Sequence, residues 1–203
     1  MTPETLDERT IDRDPIAQFQ RWFADAAAAG LPLPDATSLS TVTAEGKPTA
    51  RMVLLKRVGA DGFVFFTNYR SSKARELAEN PNACLVFFWP QLERQVRIEG
   101  VVSKTSAAES REYFATRPRG SQIGAWASPQ SEVIPGREVL ERRQGELEEV
   151  YRDRDVPWPE HWGGYCLKPE RIEFWKGRSD RLHDRIVYIR QSNGSWTIQR
   201  LAP

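Results

Sequence analysis

The chain has 203 residues, 39% hydrophobic and 28% charged, and its 29 basic and 28 acidic side chains leave a formal net charge of +1. That length supports one domain with a substantial core, and the charge balance excludes a global pull towards nucleic acid or membrane, so any anion site must come from local clusters of Arg and Lys. Cys84 and Cys166 have no metal-ligand partners at a useful spacing and read as reduced core thiols, and the acidic, polar stretch Met1–Asp14 has no apolar signal core. A cytoplasmic protein is expected, with a flexible segment over residues 1–13 and one domain over residues 14–203.

In chain order, Ile16, Phe19, Trp22 and Phe23 recur at helical spacing, which predicts a helix over Ile16–Ala29 with Asp14 as N-cap and Gly30 as its stop. The pattern then changes to strands. Leu39–Thr43 and Thr49–Lys56 flank a Glu45-Gly46 turn, and Ala60-Asp61-Gly62 turns the chain into Phe63–Thr67. A short helix is expected over Lys73–Glu79, then long strands over Ala83–Trp89 and Gln95–Lys104. Ser106 caps a helix reaching Thr116, after which Arg117-Pro118-Arg119-Gly-Ser121 breaks and bends the chain. Arg137–Tyr151 is a charged, solvated helix. Strands over Tyr165–Trp175, Ile186–Arg190 and Trp196–Arg200 finish the chain, the last two joined by the Asn193-Gly194 turn. Strands in succession with short turns predict a mainly β, α+β fold: an antiparallel sheet closing into a barrel with helices outside it. A doubly wound dinucleotide domain does not fit, because strand and helix do not alternate and no Gly-x-Gly-x-x-Gly loop is present.

No nucleophile elbow, P-loop or His-Glu-x-x-His pattern occurs, and with only His161 and His183 a histidine-rich metal site is excluded. The chemistry then points to a bound organic cofactor. Arg51 and Lys56 lie an odd number of positions apart on one strand, so on a regular strand they face opposite sides and would serve two different anions; solvated edge charges are the plainer reading. Ser71-Ser72-Lys73, where a loop enters a helix, suits a phosphate and equally an ordinary helix cap. Tyr113, Arg117 and Ser121 could converge on one phosphate or merely make a polar helix end. The densest cluster is Phe174-Trp175 followed by Arg181-Leu182-His183-Asp184-Arg185. It suits a flat heteroaromatic ligand, and a salt-bridged hairpin loop is the alternative. If Arg181–Arg185 is extended, residues 181, 183 and 185 share one face.

These stretches together resemble the pyridoxine/pyridoxamine 5′-phosphate oxidase family from about Asp14 to Pro203. The similarity is carried by Arg51-Met-Val-Leu-Leu-Lys56, Phe66-Thr67-Asn68, Leu92-Glu-Arg-Gln-Val96, Arg117-Pro118, Ser121-Gln-Ile-Gly-Ala-Trp126, Phe174-Trp175, Arg181-Leu-His-Asp-Arg185 and the ending Arg200-Leu-Ala-Pro203. The resemblance implies a split β-barrel homodimer with flavin mononucleotide (FMN) at the subunit interface. It implies oxidation of pyridoxamine or pyridoxine 5′-phosphate to pyridoxal 5′-phosphate, with dioxygen as acceptor and hydrogen peroxide released. It assigns Arg51, Ser72 and Lys73 to the FMN phosphate, and Met52, Val53, Leu54, Leu55, Lys56, Phe66 and Thr67 to the cofactor's walls. Gln95, Trp175 and Arg185 would hold the isoalloxazine or its tail, joined by Gln130 and Ser131 reaching over from a partner. Lys56, Tyr113, Arg117 and Ser121 would grip the substrate phosphate. Arg181, Leu182 and His183 would contact the pyridine ring, Arg181 and His183 in the catalytic role.

Two departures from the family pattern stand out. Ser72 replaces one of two adjacent basic residues, and Met1–Arg13 has no match to the Arg-x-x-Tyr arm with which many members close over substrate. Two other readings stay open at this point: another split-barrel flavoprotein such as a flavin reductase, and a non-catalytic FMN or pyridoxal phosphate binding protein.

Overall fold

Strands that alternate buried with more exposed side chains, and others buried over successive residues, build most of the molecule around one curled sheet. A computed structural model describes residues 5–203. Strand β1 (Ala36–Val42) turns Thr37, Leu39 and Thr41 inwards and pairs antiparallel with β2 (Pro48–Leu54), across a turn where Gly46 takes φ 80°. Strands β3 (Arg57–Gly59) and β4 (Gly62–Asn68) form a tight hairpin. Gly62 is required there, since its φ is 135° and a Cβ would lie 2.2 Å from the Leu167 carbonyl oxygen. Helix α2 (Ser72–Glu79) leads to β5 (Asn82–Trp89) and β6 (Arg94–Lys104).

The 15-residue strand β7 (Trp162–Lys176) is the branch point of the sheet. One edge pairs with β6 along its length, while the other pairs first with β4 and then with β8 (Asp184–Arg190), which in turn pairs with β9 (Trp196–Leu201). The resulting order is β2-β1-β5-β6-β7-β4-β3, with β8 and β9 branching from β7. This divided pairing, with a bulge in the β6 ladder at Glu99/Gly100, curls the sheet into a split barrel.

Helix α1 (Pro15–Ala28) packs one face on the core, capped by Asp14, whose carboxylate accepts from the Ile16 N–H at 2.9 Å. Its Phe19 meets Phe63 edge-on at 4.9 Å and Phe87 at 5.0 Å, and Trp22 meets Phe174 at 5.2 Å. Helices α3 (Ala107–Thr116), α4 (Arg119–Ala127) and α5 (Glu138–Val150) cover the outside.

The strands, the first helix and its cap, and the hairpin turns follow the sequence reading. Helix α4 and the short β3 do not. The chain bends only at Arg117 and Pro118 and then starts a new helix, because proline is tolerated at a helix entry. The described part of the segment expected to be flexible is docked. Leu6 and Ile11 are buried, Tyr188 donates its hydroxyl proton to the Asp12 carbonyl, and Arg200 binds Glu8 and the Leu6 carbonyl. Cys84 and Cys166 are free and half-buried rather than fully in the core, and burial pushes each thiol up to about 11, so both are protonated at neutral pH. No helix among the described residues is long and apolar enough to cross a membrane.

Candidate active site

The C-terminal end of β4, helices α3 and α4 and the first residue of β7 enclose a cavity of about 370 Å³. Its wall is aromatic: Phe66 stacks on Tyr113 at 4.0 Å and on Trp162 at 5.4 Å. Into it project Lys56, Tyr113, Arg117 and Ser121, four residues the sequence reading grouped around one phosphate. The bend at Pro118 makes this possible, since it sets Tyr113 on α3 and Ser121 on α4 facing each other across Arg117. Arg117 lies with its guanidinium carbon 4.4 Å over the Trp162 ring, and its buried Nη1 has no hydrogen-bond partner among the described residues. Burial pushes the Arg117 pKa down, the mark of a cation short of counter-charge. A buried donor without a partner costs free energy that an anion in the cavity would recover. Lys56 is held at the rim by Asp35 at 2.8 Å.

Beside the cavity, Lys73 is 7% exposed. Its Nζ reaches Thr67 Oγ1 and Ser71 Oγ at 3.2 Å and Gln130 Oε1 at 3.5 Å, and Thr67 and Gln130 also line the cavity. Burial lowers the Lys73 pKa, with nearby Arg51 adding to the shift. Arg51 donates to Thr49 and Glu76 at 2.7 and 2.8 Å and to Thr41. Glu76 also accepts from both threonines. Ser72 Oγ accepts from Arg75. A buried ammonium among hydroxyls, next to an aromatic-walled cavity, fits a cofactor that ends in phosphate.

The rest of the Arg51–Lys56 run divides by face. Leu54 joins Lys56 at the cavity, Val53 packs on the core, Leu55 is in it, and Met52 is 64% exposed on the outer face. Arg51 and Lys56 do end on different partners, although β2 stops at Leu54 before Lys56. Gln130 is expected to reach a partner's flavin; within its own chain the turn after α4 brings it to the end of β4, where Thr67 donates to it at 3.1 Å. Ser131, at φ 73°, is exposed on that turn.

A second cluster lies elsewhere. Gln95 on β6 sits opposite Trp175 on β7, and Trp175 opposite Arg185 on β8, so the three make one row across three strands. Arg185 is gripped by Glu173 at 2.7 Å. The His183 ring lies 4.6 Å from that of Trp175, and its Nδ1 accepts the Arg178 N–H at 3.1 Å. The neutral imidazole therefore carries its proton on Nε2. Arg181 is not in register with His183 and Arg185. A 3₁₀ turn over Ser179–Arg181 puts Asp180 and Arg181 in the left-handed region at φ 57° and 60°, and leaves Leu182 71% exposed. Trp162 at the cavity and Trp175 in the row stand near opposite ends of β7, separated by about 40 Å of strand contour.

The family model described as pyridoxamine 5′-phosphate oxidase matches residues 23–151, and the one described as the pyridoxine 5′-phosphate oxidase C-terminal dimerisation region matches residues 162–203. The chain belongs to the pyridoxamine 5′-phosphate oxidase family. The pyridoxine/pyridoxamine 5′-phosphate oxidase of Nostoc punctiforme is 57% identical over 202 residues, covering 100% of this chain and 94% of the relative. That of Burkholderia multivorans is 57% identical over 201 residues, covering 98% and 94%. Among solved structures, PhzG from Burkholderia lata, in complex with tetrahydrophenazine-1-carboxylic acid, superposes with a TM-score of 0.93 at 30% identity over 100% of both chains. A pyridoxamine 5′-phosphate oxidase-related, FMN-binding protein of Nostoc punctiforme superposes at 0.73 with 16% identity, covering 91% and 97%, and shares the fold.

As a member of this oxidase family the protein is an oxidoreductase, and its cofactor is FMN. Trp175 and Arg185 of the row lie in the second matched region, whereas Gln95 and the cavity residues other than Trp162 lie in the first. Trp162 and Glu173 escaped the sequence reading. The signal for Glu173 was present, an acid set directly between the apolar Ile172 and Phe174. Nothing local marks Trp162, which becomes a wall only when β7 returns beside β4.

Proposed function

We propose that the protein oxidises pyridoxamine or pyridoxine 5′-phosphate at C4′ to pyridoxal 5′-phosphate. The amine, dioxygen and water give the aldehyde, ammonia and hydrogen peroxide; the alcohol and dioxygen give the aldehyde and hydrogen peroxide. The observation that carries this reading is the buried Nη1 of Arg117, without a hydrogen-bond partner among the described residues, in an aromatic-walled cavity beside Lys56, Tyr113 and Ser121. A phosphate there takes charge from Arg117 and Lys56 and hydrogen bonds from the two hydroxyls. The full-length relatives bearing this activity in their names support the choice of substrate.

FMN, when bound, supplies the two-electron acceptor that the side chains lack. The chain's own residues bind and orient. Lys73 and Arg51 take the cofactor's phosphate, and clamping the substrate phosphate holds C4′ in one place. His183 offers Nε2–H as a hydrogen-bond donor rather than a free base, and Arg181, exposed on its turn, is available to the pyridine ring. Because the cavity and the Gln95-Trp175-Arg185 row stand near opposite ends of β7, one chain supplies each to a different site. A homodimer in which the row of one subunit completes the cavity of the other satisfies both, and a two-fold axis then makes two equal sites.

The test is the absorbance of the FMN-loaded protein before and after anaerobic addition of pyridoxamine 5′-phosphate, then of air. Bleaching followed by recovery with peroxide release is expected, and pyridoxamine without its phosphate should be a far poorer substrate. Stable FMN binding with no bleaching would overturn the oxidase reading in favour of a carrier. Equal turnover of both amines would overturn the phosphate site.

A further inference from the structure

We propose that Glu173 is a positioning residue of the flavin site, its buried carboxylate aiming Arg185 at the cofactor. The inference rests on the reading of Arg185 as a flavin contact. Glu173 lies two residues before Trp175 on the same face of β7, and Arg185 lies directly across from Trp175 on β8. Glu173 and Arg185 are therefore diagonal neighbours on that face, within reach of long side chains.

The Glu173 side chain is 4% exposed. Its Oε1 accepts from Arg185 Nε at 2.7 Å and its Oε2 from Arg185 Nη2 at 3.2 Å, a fork-to-fork pair that fixes the guanidinium plane. Oε2 also accepts from Arg97 at 2.9 Å, and Arg97 is itself balanced by Glu99 at 3.1 Å. A third point of attachment is the Ala202 carbonyl, which accepts from Arg185 Nη1 at 3.0 Å. Of the five N–H groups of a guanidinium, these contacts use three and leave one on each terminal nitrogen. The residual donors thus form one edge of a plane whose tilt Glu173 sets.

A carboxylate this deeply buried is a poor device for stability alone, since an apolar side chain of similar volume avoids its desolvation cost. What a carboxylate does and an apolar residue does not is hold a cation in one orientation while lowering its net charge. Arg185 left to itself would carry several rotatable bonds and compete for water; locked to Glu173 it presents its free edge beside Trp175 without further ordering.

The experiment compares Glu173→Gln, Arg185→Ala and the double variant, reading the FMN dissociation constant from flavin fluorescence on dilution of each holoprotein. Glu173→Gln should weaken FMN by about tenfold, a loss of one charged contact. Arg185→Ala should weaken it at least as much, and the double variant no more than Arg185→Ala alone, because Glu173 acts only through Arg185. The circular dichroism of the bound flavin should change in the same sense in both single variants. Glu173→Asp, which keeps the charge but shortens the reach, should also weaken FMN, and it serves if Glu173→Gln fails to fold. Wild-type FMN affinity in the folded Glu173 variants, or fully additive losses in the double variant, would overturn the proposal while leaving Arg185 a flavin contact. Wild-type affinity in Arg185→Ala would instead remove the reading on which it rests.

Discussion

The cavity and the sheet row handle charge in opposite ways. In the cavity, half-buried Arg117 lies over Trp162, with one buried nitrogen unpartnered and no ion pair among the described residues. In the row, Arg185 is already paired with Glu173 and tied to the Ala202 carbonyl. An uncompensated buried cation is raised in free energy until an anion arrives, so the cavity is built for a ligand with its own charge. A cation neutralised by a fixed carboxylate offers directed hydrogen bonds with little net charge, which suits the edge of a flat, weakly charged ring. On the proposed function, the contrast separates an ionic clamp for phosphate from a geometric guide for a heterocycle, and the pairing pattern of β7 keeps the two apart within one chain.

The largest effect should come from separating the two regions onto different subunits. Arg117→Ala disables the cavity and Trp175→Ala the row, so each homodimer should be nearly inactive. A purified heterodimer of the two should regain about half of wild-type turnover, because one of its two sites then receives both intact parts. Turnover no higher than the mean of the parent homodimers would mean that cavity and row act within one chain, and the shared-site reading would fall.

Removing the ionic clamp alone comes next. Arg117→Ala should cut kcat/KM for pyridoxamine 5′-phosphate by about 3 kcal/mol, on the order of 10²-fold, with flavin content unchanged. Its stability to urea should drop by no more than the lost packing on Trp162, since the guanidinium nitrogen it removes was unsatisfied. Loss of flavin with retained kcat/KM at saturating FMN would assign Arg117 to the cofactor instead.

The two regions also differ in how far the sequence discloses them. Alternating burial made β1, β5 and β6 legible, and Asp14 and Gly46 marked a helix start and a turn through local chemistry alone. The phosphate group of Lys56, Tyr113, Arg117 and Ser121 came from residue type and resemblance, and the cavity gathers all four. Helix α4 was hidden because Arg117-Pro118-Arg119-Gly-Ser121 read as a break, although Pro118 only ends α3 and precedes the first turn of α4. The left-handed Asp180 and Arg181 were hidden for a different reason. Neither is glycine, so no residue announces that the chain leaves the extended form just before His183. Trp162 and Glu173 depend on strand pairing between distant segments, which periodicity along one segment does not contain.

The smallest expected effect distinguishes the cofactor-phosphate corner from both regions. Lys73 sits among Thr67, Ser71 and Gln130, with Arg51 and Glu76 nearby, and burial holds its pKa below the ordinary lysine value of 10.5. Between that lowered value and 10.5, the unfolded chain holds the proton that the folded apoprotein has released. At this site the unfolded state then binds more protons, so the contribution of Lys73 to apoprotein stability should rise with pH through this window. The raised thiols of Cys84 and Cys166 and the raised phenols of Tyr69, Tyr165 and Tyr188 contribute with the opposite sign, so the contribution of Lys73 is read as the difference between wild type and Lys73→Met, which keeps the length and removes the charge. FMN binding should run the other way, because the phosphate needs the ammonium form and loses it as pH climbs through the same range. Urea unfolding of the two proteins across that alkaline window should therefore show wild type gaining on Lys73→Met as pH rises without FMN and losing ground with FMN bound, and Lys73→Met should bind FMN more weakly at neutral pH. A wild-type-minus-variant difference with the same pH trend in both forms, or no trend in the apoprotein, would show that Lys73 is not the ammonium the phosphate uses.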